Sequence, residues 1–306
     1  MSGIARQELK TLVTEISGAS SVGITPVLRV SADAREMYDS WISDGCHAGM
    51  SYLERYTDVR NNPVLLLDGA KSLIMAAFSY ANPEAIRLMN RAKHPLIAEY
   101  ALGKDYHIEV RNRLILAGNK LCENFGGQYR VCVDTAPLRE RYWAQQAGLG
   151  FIGLNNYLII PGQGAHFYLG AILWTGEITD EYDRPCNDNC GFCGKCIEAC
   201  PMGALSPQGR LDARQCLSYL TIESRDPLPE NTNLGGRIFG CDTCRRVCPH
   251  EPENPPQTPL NEFIARPDVT NLSACDWRGM TSEQFNRLFR NSAVKRAKLD
   301  KLKSFL

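Results

Sequence analysis

The chain has 306 residues, 44% of them hydrophobic, and its 34 Lys and Arg balance 34 Asp and Glu. That is long enough to bury roughly three quarters of the unfolded surface without a covalent staple. No apolar run approaches the ~20 residues of a membrane span, and Met1 to Lys10 has no apolar stretch of the kind a secretory signal carries, so a cytoplasmic protein with no membrane partner is expected. The zero net charge announces no global field for a nucleic acid. Thirteen cysteines in such a chain speak for metal ligation, because cytosolic thiols stay reduced.

Residues 4 to 17 place apolar side chains at helical spacing and stop at Ser-Gly, before the strand-like Ser21 to Thr25. Ala70 to Ser79 and Gln128 to Val133 read as strands, separated by a helical candidate from Ile108 to Phe125. Pro137 to Ala147 reads as helix and Asn156 to Ile160 as strand. Strands alternating with helices over about the first 180 residues imply an α/β or α+β layered domain. From Glu181 the texture turns to Cys, Gly, Pro and Asp, a segment organised by metal and not by a core. Four prolines between His250 and Pro259 predict an extended connector, and helical periodicity returns from Thr281 to Leu306.

Eight cysteines carry the clearest chemistry. Cys190-x2-Cys193-x2-Cys196-x3-Cys200-Pro201 is the two-cluster ferredoxin run, in which the fourth Cys ligates the other cluster. A zinc site would use two separated Cys pairs instead. The second run, Cys241-x2-Cys244-x3-Cys248-Pro249, has Ile238 where a further Cys is expected, and Cys216 can replace it from upstream. The crossing rule then assigns Cys190, Cys193, Cys196 and Cys248 to one 4Fe-4S cluster and Cys200, Cys216, Cys241 and Cys244 to the other. Cys46, Cys122, Cys132, Cys186 and Cys275 read as small buried hydrophobes, with Cys186 a bystander near the first cluster. An electron wire inside a larger domain implies a partner to feed or a cofactor beside it.

Gly148-Leu149-Gly150-Phe151-Ile152-Gly153 matches a dinucleotide fingerprint but has a helix before it and a strand after it, the reverse of what that site needs. The glycines are expected to allow a tight turn and close approach to a ligand. Asp105-Tyr106-His107 superficially resembles the D-x-H-x-x-G cobalamin motif, yet Val110 replaces its glycine. Asp134 follows an apolar strand and precedes Thr135-Ala136-Pro137, so it reads equally as an active-site carboxylate or as the N-cap of the next helix. A carboxylate desolvated there would favour its neutral form. His107 alone reads as a satisfied interior histidine, and Arg139 and Arg141 as solvated helix charges.

Asp58 to Pro63, Gly103 to His107, Val133-Asp134-Thr135, Ala147 to Gly153 with Asn155, Asp212 to Glu223, Gly240 to Cys244 and both cysteine runs together resemble the epoxyqueuosine reductase family. The likeness covers about 250 residues. It implies an α+β protein: a cobalamin-binding catalytic domain over 1–180 with a helix-flanked central sheet, a ferredoxin-like two-cluster domain over 181–250, and a proline-rich connector with a basic helical tail over 251–306. It further implies Asp134 as proton donor and a cobalamin in contact with the cluster that includes Cys241. Arg60, Asn155, Leu158, Leu169, Ser218 and Asp242 would surround the corrinoid, with Tyr106 and His107 near the substrate or ring. The implied reaction removes the epoxide oxygen of epoxyqueuosine in the tRNA wobble position as water, with two electrons and two protons. A flavodoxin- or ferredoxin-like one-electron donor and a monomeric state are expected.

Longer family members continue into a helical-repeat extension, whereas this chain stops at Leu306. Arg278, Arg287, Arg290, Lys295, Arg296, Lys298, Lys301 and Lys303 give the tail a basic character that suits phosphates, or equally a solvated amphipathic helix. Two other functions share the cysteine pattern. One is a corrinoid iron-sulfur reductase acting on a small molecule, such as a reductive dehalogenase-like enzyme. The other is an electron carrier, which would need neither Asp134 nor a large first domain.

Overall fold

A computed structural model describes residues 3–306. Four strands, β1 (Ser21–Pro26), β2 (Ser72–Ser79), β3 (Tyr129–Cys132) and β4 (Phe167–Trp174), form one sheet in the order β1-β2-β4-β3. Every pairing is antiparallel, with Ile24 opposite Ile74, Ile74 opposite Ile172 and Val131 opposite Ile172. This settles the layered domain as α+β. The central strand β4 is the one that alternation in the sequence did not single out.

Both faces of the sheet are covered, so β2 is buried at all eight positions. Ile74, Ala76 and Phe78 turn to one face and Leu73, Met75 and Ala77 to the other, the period-2 alternation of a strand. On the first face lie α1 (Arg6–Ser17) and α2 (Tyr106–Phe125). Helix α2 buries Val110, Leu114, Ala117 and Leu121, one stripe at helical spacing. Gly170 on β4 is where a Cβ would meet Leu114 at 2.6 Å and Val110 at 2.8 Å, so its missing side chain lets α2 lie close to the sheet. The second face is closed by α3 (Glu140–Gln146), whose Trp143 and Ala144 are buried there.

The helix expected from Pro137 starts only at Glu140, after a tight turn in which the Leu138 amide donates to the Ala136 carbonyl at 2.7 Å. Asp134 lies six residues ahead of it and is no N-cap. The tail is not one helix. It consists of Ser282–Leu288, a 3-10 turn at Ala293–Ala297 and Leu299–Lys303, the last two separated by Lys298 at φ 64. These pieces bury Phe285, Phe289, Val294 and Leu302 in a second core with Met89, Leu102, Ile238 and Phe239. Ile238 thus stands in a short strand, β5 (Arg237–Phe239), as a core residue where the ferredoxin pattern would have a ligand. The proline-rich connector is extended as expected, and Thr258 ties it across the end of β2 through Ser79 and Ala81. Among the described residues no helix is long and apolar enough to cross a membrane.

Candidate active site and cluster ligands

The eight cysteines fall into two groups by their neighbours. Cys190, Cys193, Cys196 and Cys248 line one recess together with Gly153, Asn155 and Pro249. Cys200, Cys216 and Cys241 are the thiols around Cys244. Burial, then the neighbouring thiols, push Cys244 well above an ordinary thiol, so four thiolates can gather there only with a cation to offset them. Main-chain amides are already aimed at the sulfurs: Ala204 N–H reaches Cys200 Sγ at 3.3 Å, and the amides of Ser218 and Tyr219 serve Cys216. N–H···S bonds of this kind are how proteins hold and tune iron-sulfur clusters. The residues fit two such groups.

A buried charge hub lies between the two ligand sets. Arg245, next to Cys244, has its side chain 3% exposed and pairs with Glu99 and Glu251, with Asp242 at 3.9 Å. Glu251 also accepts from His166 across 2.8 Å, and Asp242 accepts from the Glu99 amide at 2.8 Å. The hub therefore ties the cluster segment to the end of β2, through Glu99 and the Asn82 amide, and to the start of β4. Asp242, a predicted corrinoid neighbour, is fully engaged in it.

The second chemical centre is a chain of three side chains. Asp105 caps α2 by accepting from the His107 amide at 3.0 Å, and its Oδ1 also meets His107 Nδ1 at 2.6 Å. On the other side His107 Nε2 meets Asp134 Oδ2 at 2.8 Å. His107 is therefore not a satisfied interior histidine but a ring held between two carboxylates. Burial works to lower its pKa, yet the bonds and charges of Asp105 and Asp134 outweigh it and raise it to about 9. The counterpart is a correction for Asp134: burial raises its pKa as expected, but the His107 hydrogen bond and charge overcome this and leave the carboxyl below its ordinary value. The proton is stored on the pair, mainly at the imidazole. Asp134 itself opens outward, with its side chain 49% exposed, and sits at φ 44, a left-handed conformation uncommon for a side-chain-bearing residue.

Tyr106 lies face to face with Tyr168 at 4.6 Å and stacks on His107, so it forms the wall behind the triad. Burial of Tyr100, with the charges of Asp242, Asp134 and Glu223 acting in the same direction, pushes its phenol well above the ordinary value. Beside Cys241 a recess is lined by Ala98, Gly240, Asp242, Arg237, Arg246 and the apolar Met89, among others. Of the predicted corrinoid neighbours, Cys241 and Asp242 line this recess. Arg60 is half-buried and donates to the Tyr52 and Arg55 carbonyls. Ser218 stands at Cys216, Leu158 is buried in the core under the sheet, and Leu169 is half-buried on β4.

Asn155 belongs to the clusters' surroundings: it lines the first recess and donates to the Cys244 carbonyl at 3.1 Å. The glycine turn before it approaches backbone, not a ligand, since a Cβ on Gly150 would meet the Ile159 carbonyl at 2.1 Å. Arg139 is no solvated helix charge. It is half-buried, binds Asn61 and the Ala34 carbonyl, and covers the Tyr38 ring at 4.2 Å. Arg141 is exposed, as expected, and donates to the Asn156 carbonyl. Sequence reasoning did not find Glu140, which accepts from the Asp134 amide at 2.6 Å.

Two ferredoxin-type ligand sets and a helix-flanked antiparallel sheet with an acid-imidazole pair just past the end of β3 define an iron-sulfur oxidoreductase. Residues 189–251 match the 4Fe-4S double cluster binding domain, and residues 60–135 match the family described as epoxyqueuosine reductase QueG, DUF1730. The epoxyqueuosine reductase of Leadbetterella byssophila is 34% identical over 97% of this chain and 95% of its own length. The chain belongs to the epoxyqueuosine reductase family. The Vibrio cholerae epoxyqueuosine reductase is 36% identical over 84% of this chain and 70% of its own length. An epoxyqueuosine reductase solved with a tRNA-Tyr epoxyqueuosine-modified stem loop superimposes with a TM-score of 0.85 at 26% identity, covering 98% of this chain and 79% of that one. The Bacillus subtilis epoxyqueuosine reductase, solved with its catalytic aspartate loop swung out of the active site, gives 0.85 at 27% identity, covering 98% of this chain and 80% of that one.

Proposed function

We propose that this chain reduces epoxyqueuosine to queuosine at the wobble position of tRNA, with Asp134 and His107 delivering the proton that the departing oxygen needs. The observation that carries this reading is the Asp105-His107-Asp134 chain, an imidazole held between two carboxylates in a protein that also carries two ferredoxin-type ligand sets. Cys190, Cys193, Cys196 and Cys248 would hold one cluster and Cys200, Cys216, Cys241 and Cys244 the other. Cys241 and Asp242, with Arg60, Tyr106, Ser218 and Leu169, would face cobalamin. When bound, these groups supply single electrons and a strongly reducing centre that side chains lack.

The protein's own part is proton delivery and positioning. Opening the epoxide to an alkene consumes two electrons and two protons and releases one water. Asp134 Oδ2 accepts from the protonated His107 Nε2, so a proton leaving that imidazole would pass to the Asp134 carboxyl and from it to the departing oxygen, while Asp105 holds the imidazole in register from the other side. The loop Val133 to Arg139 would move, as the corresponding loop does in the Bacillus subtilis relative. At the rim, Tyr52 is 44% exposed and has Arg60 and Arg296 for neighbours, an aromatic face with cations of the kind that receives splayed bases of an RNA loop. In the tail, Lys295 and Lys298 remain exposed for phosphates, whereas Arg296 is paired with Glu223 and Lys301 donates to the Ser224 carbonyl.

The test is anaerobic turnover by the cofactor-loaded protein of a tRNA stem loop carrying epoxyqueuosine, with reduced methyl viologen as donor. Nucleoside mass spectrometry should show loss of one oxygen and appearance of queuosine. Unchanged epoxyqueuosine with both clusters and corrinoid present would overturn the reading.

A further inference from the structure

We propose that Glu140 is the positioning residue that latches the Asp134 loop in its working place. This deepens the reading of Asp134 as the acid and rests on it. Asp134 needs such a latch because a left-handed conformation in a residue with a side chain costs energy and persists only where the surroundings hold it. The base of the loop is fixed without help. On its far side Leu138 is 4% exposed, and Arg139 is clamped on Asn61, the Ala34 carbonyl and the Tyr38 ring. On its near side Cys132 is the last residue of β3 and pairs with Ala171. Between these anchors, from Asp134 to Pro137, one main-chain amide has a side-chain acceptor, and it is that of Asp134 itself.

Glu140 is well placed to supply that acceptor. As the first residue of α3 its backbone is set by the helix, and its Oε1 receives the Asp134 N–H at 2.6 Å. The bond fixes the peptide plane at Asp134 and so aims the carboxyl at His107. The Glu140 carboxyl is buried, and burial, then the Asp134 charge, raise its pKa to about 8, so near neutral pH it works as an uncharged acceptor. Its role is therefore one of reach and not of charge. A glutamine keeps the acceptor oxygen at the same distance, whereas an aspartate keeps the carboxylate but withdraws it by one methylene.

The experiment compares Glu140→Ala, Glu140→Asp and Glu140→Gln with wild type and Asp134→Asn, all loaded with clusters and corrinoid. Two quantities are read: hydrogen-deuterium exchange of the peptide covering 132–139, and kcat and KM on the epoxyqueuosine stem loop. Glu140→Ala and Glu140→Asp should exchange roughly tenfold faster there and lose roughly tenfold in kcat with KM little changed, the scale of one lost hydrogen bond. Glu140→Gln should behave like wild type in both readouts. Slow exchange in Glu140→Ala or Glu140→Asp, or a Glu140→Gln as impaired as either, overturns the latch. If Glu140→Ala does not fold, the contrast between Asp and Gln still decides. Asp134→Asn separates the two ideas: full activity in it removes the acid while leaving the exchange test of the latch intact.

Discussion

Strand β2 is buried at all eight of its positions, and around it the order of the molecule comes from apolar side chains on both faces of a sheet. Between Cys190 and Cys248 the two helices that carry cluster cysteines, Lys195–Glu198 and Thr243–Arg246, span four residues each and bury one side chain apiece, Cys196 and Arg245, while Leu217–Ile222 between them packs apolar side chains. One region is held by surface removed from water, a distributed and forgiving force. The cysteine-bearing stretches are held chiefly by a few groups that must all be present: eight thiols and one buried guanidinium with its acids. The same chain therefore should tolerate change very differently in its two regions.

The sharpest break of that comparison is Cys200→Ala. It should remove the cluster of Cys216, Cys241 and Cys244 although Cys200 sits in the other run, taking iron from about eight to about four per chain and abolishing turnover. Cys132→Ala, a buried cysteine of the sheet, should leave iron content unchanged. Iron and sulfide analysis of anaerobically prepared protein reads both, and four remaining irons in the Cys132 variant would defeat the contrast.

Next in size is Asp134→Asn, which keeps shape and cofactors but removes the acid. Turnover should fall by roughly the 10²- to 10⁴-fold typical of a general acid. With α3 beginning at Glu140, loss of a helix cap cannot produce such a fall, so near wild-type turnover would end the assignment.

A smaller effect, on stability, is expected at the hub. Arg245→Gln leaves Glu99, Glu251 and Asp242 as buried acids without their cation, and such broken buried pairs cost about 3–5 kcal/mol. Arg184→Gln, at a pair exposed on both sides, should cost under about 1 kcal/mol. Denaturant unfolding of the two cofactor-loaded variants measures the difference, and equal losses would show that the hub contributes no more than a surface pair.

How much of this the sequence displayed follows the same division. The two-cluster 4Fe-4S segment was legible because ligation writes its spacing into a few neighbouring residues. So were α1, β1, β2 and α2, whose apolar patterns are local. Strand β4 was missed since Phe-Tyr-Leu-Gly-Ala-Ile-Leu-Trp, buried on both faces, has no alternation to see. Arg245 looked like any surface charge because its partner Glu99 is 146 residues away. The imidazole between Asp105 and Asp134 was likewise hidden: one partner is two residues off and the other twenty-seven. Long-range pairing of polar groups leaves no periodic trace.

The smallest effect is a shift along the pH axis. His107 has its pKa raised from 6.5 to about 9 by two carboxylates. A raised value means that its protonated form is favoured by folding, so its contribution to stability is complete below about pH 6.5 and is lost as pH rises through about 9. Turnover that uses this proton should fall over the same alkaline limb. Asp105→Asn isolates the cause, because Asn caps a helix about as well as Asp and α2 should survive the change. What it removes is one negative charge against Nδ1. The alkaline limb of kcat and the alkaline loss of thermal stability should then both move to lower pH, by about one unit for the loss of one of two carboxylate partners. A pH-rate profile and melting curves between pH 6 and 10 would show it. If the limb stays where it is while α2 remains intact, the proton used in turnover is not the one held between Asp105 and Asp134.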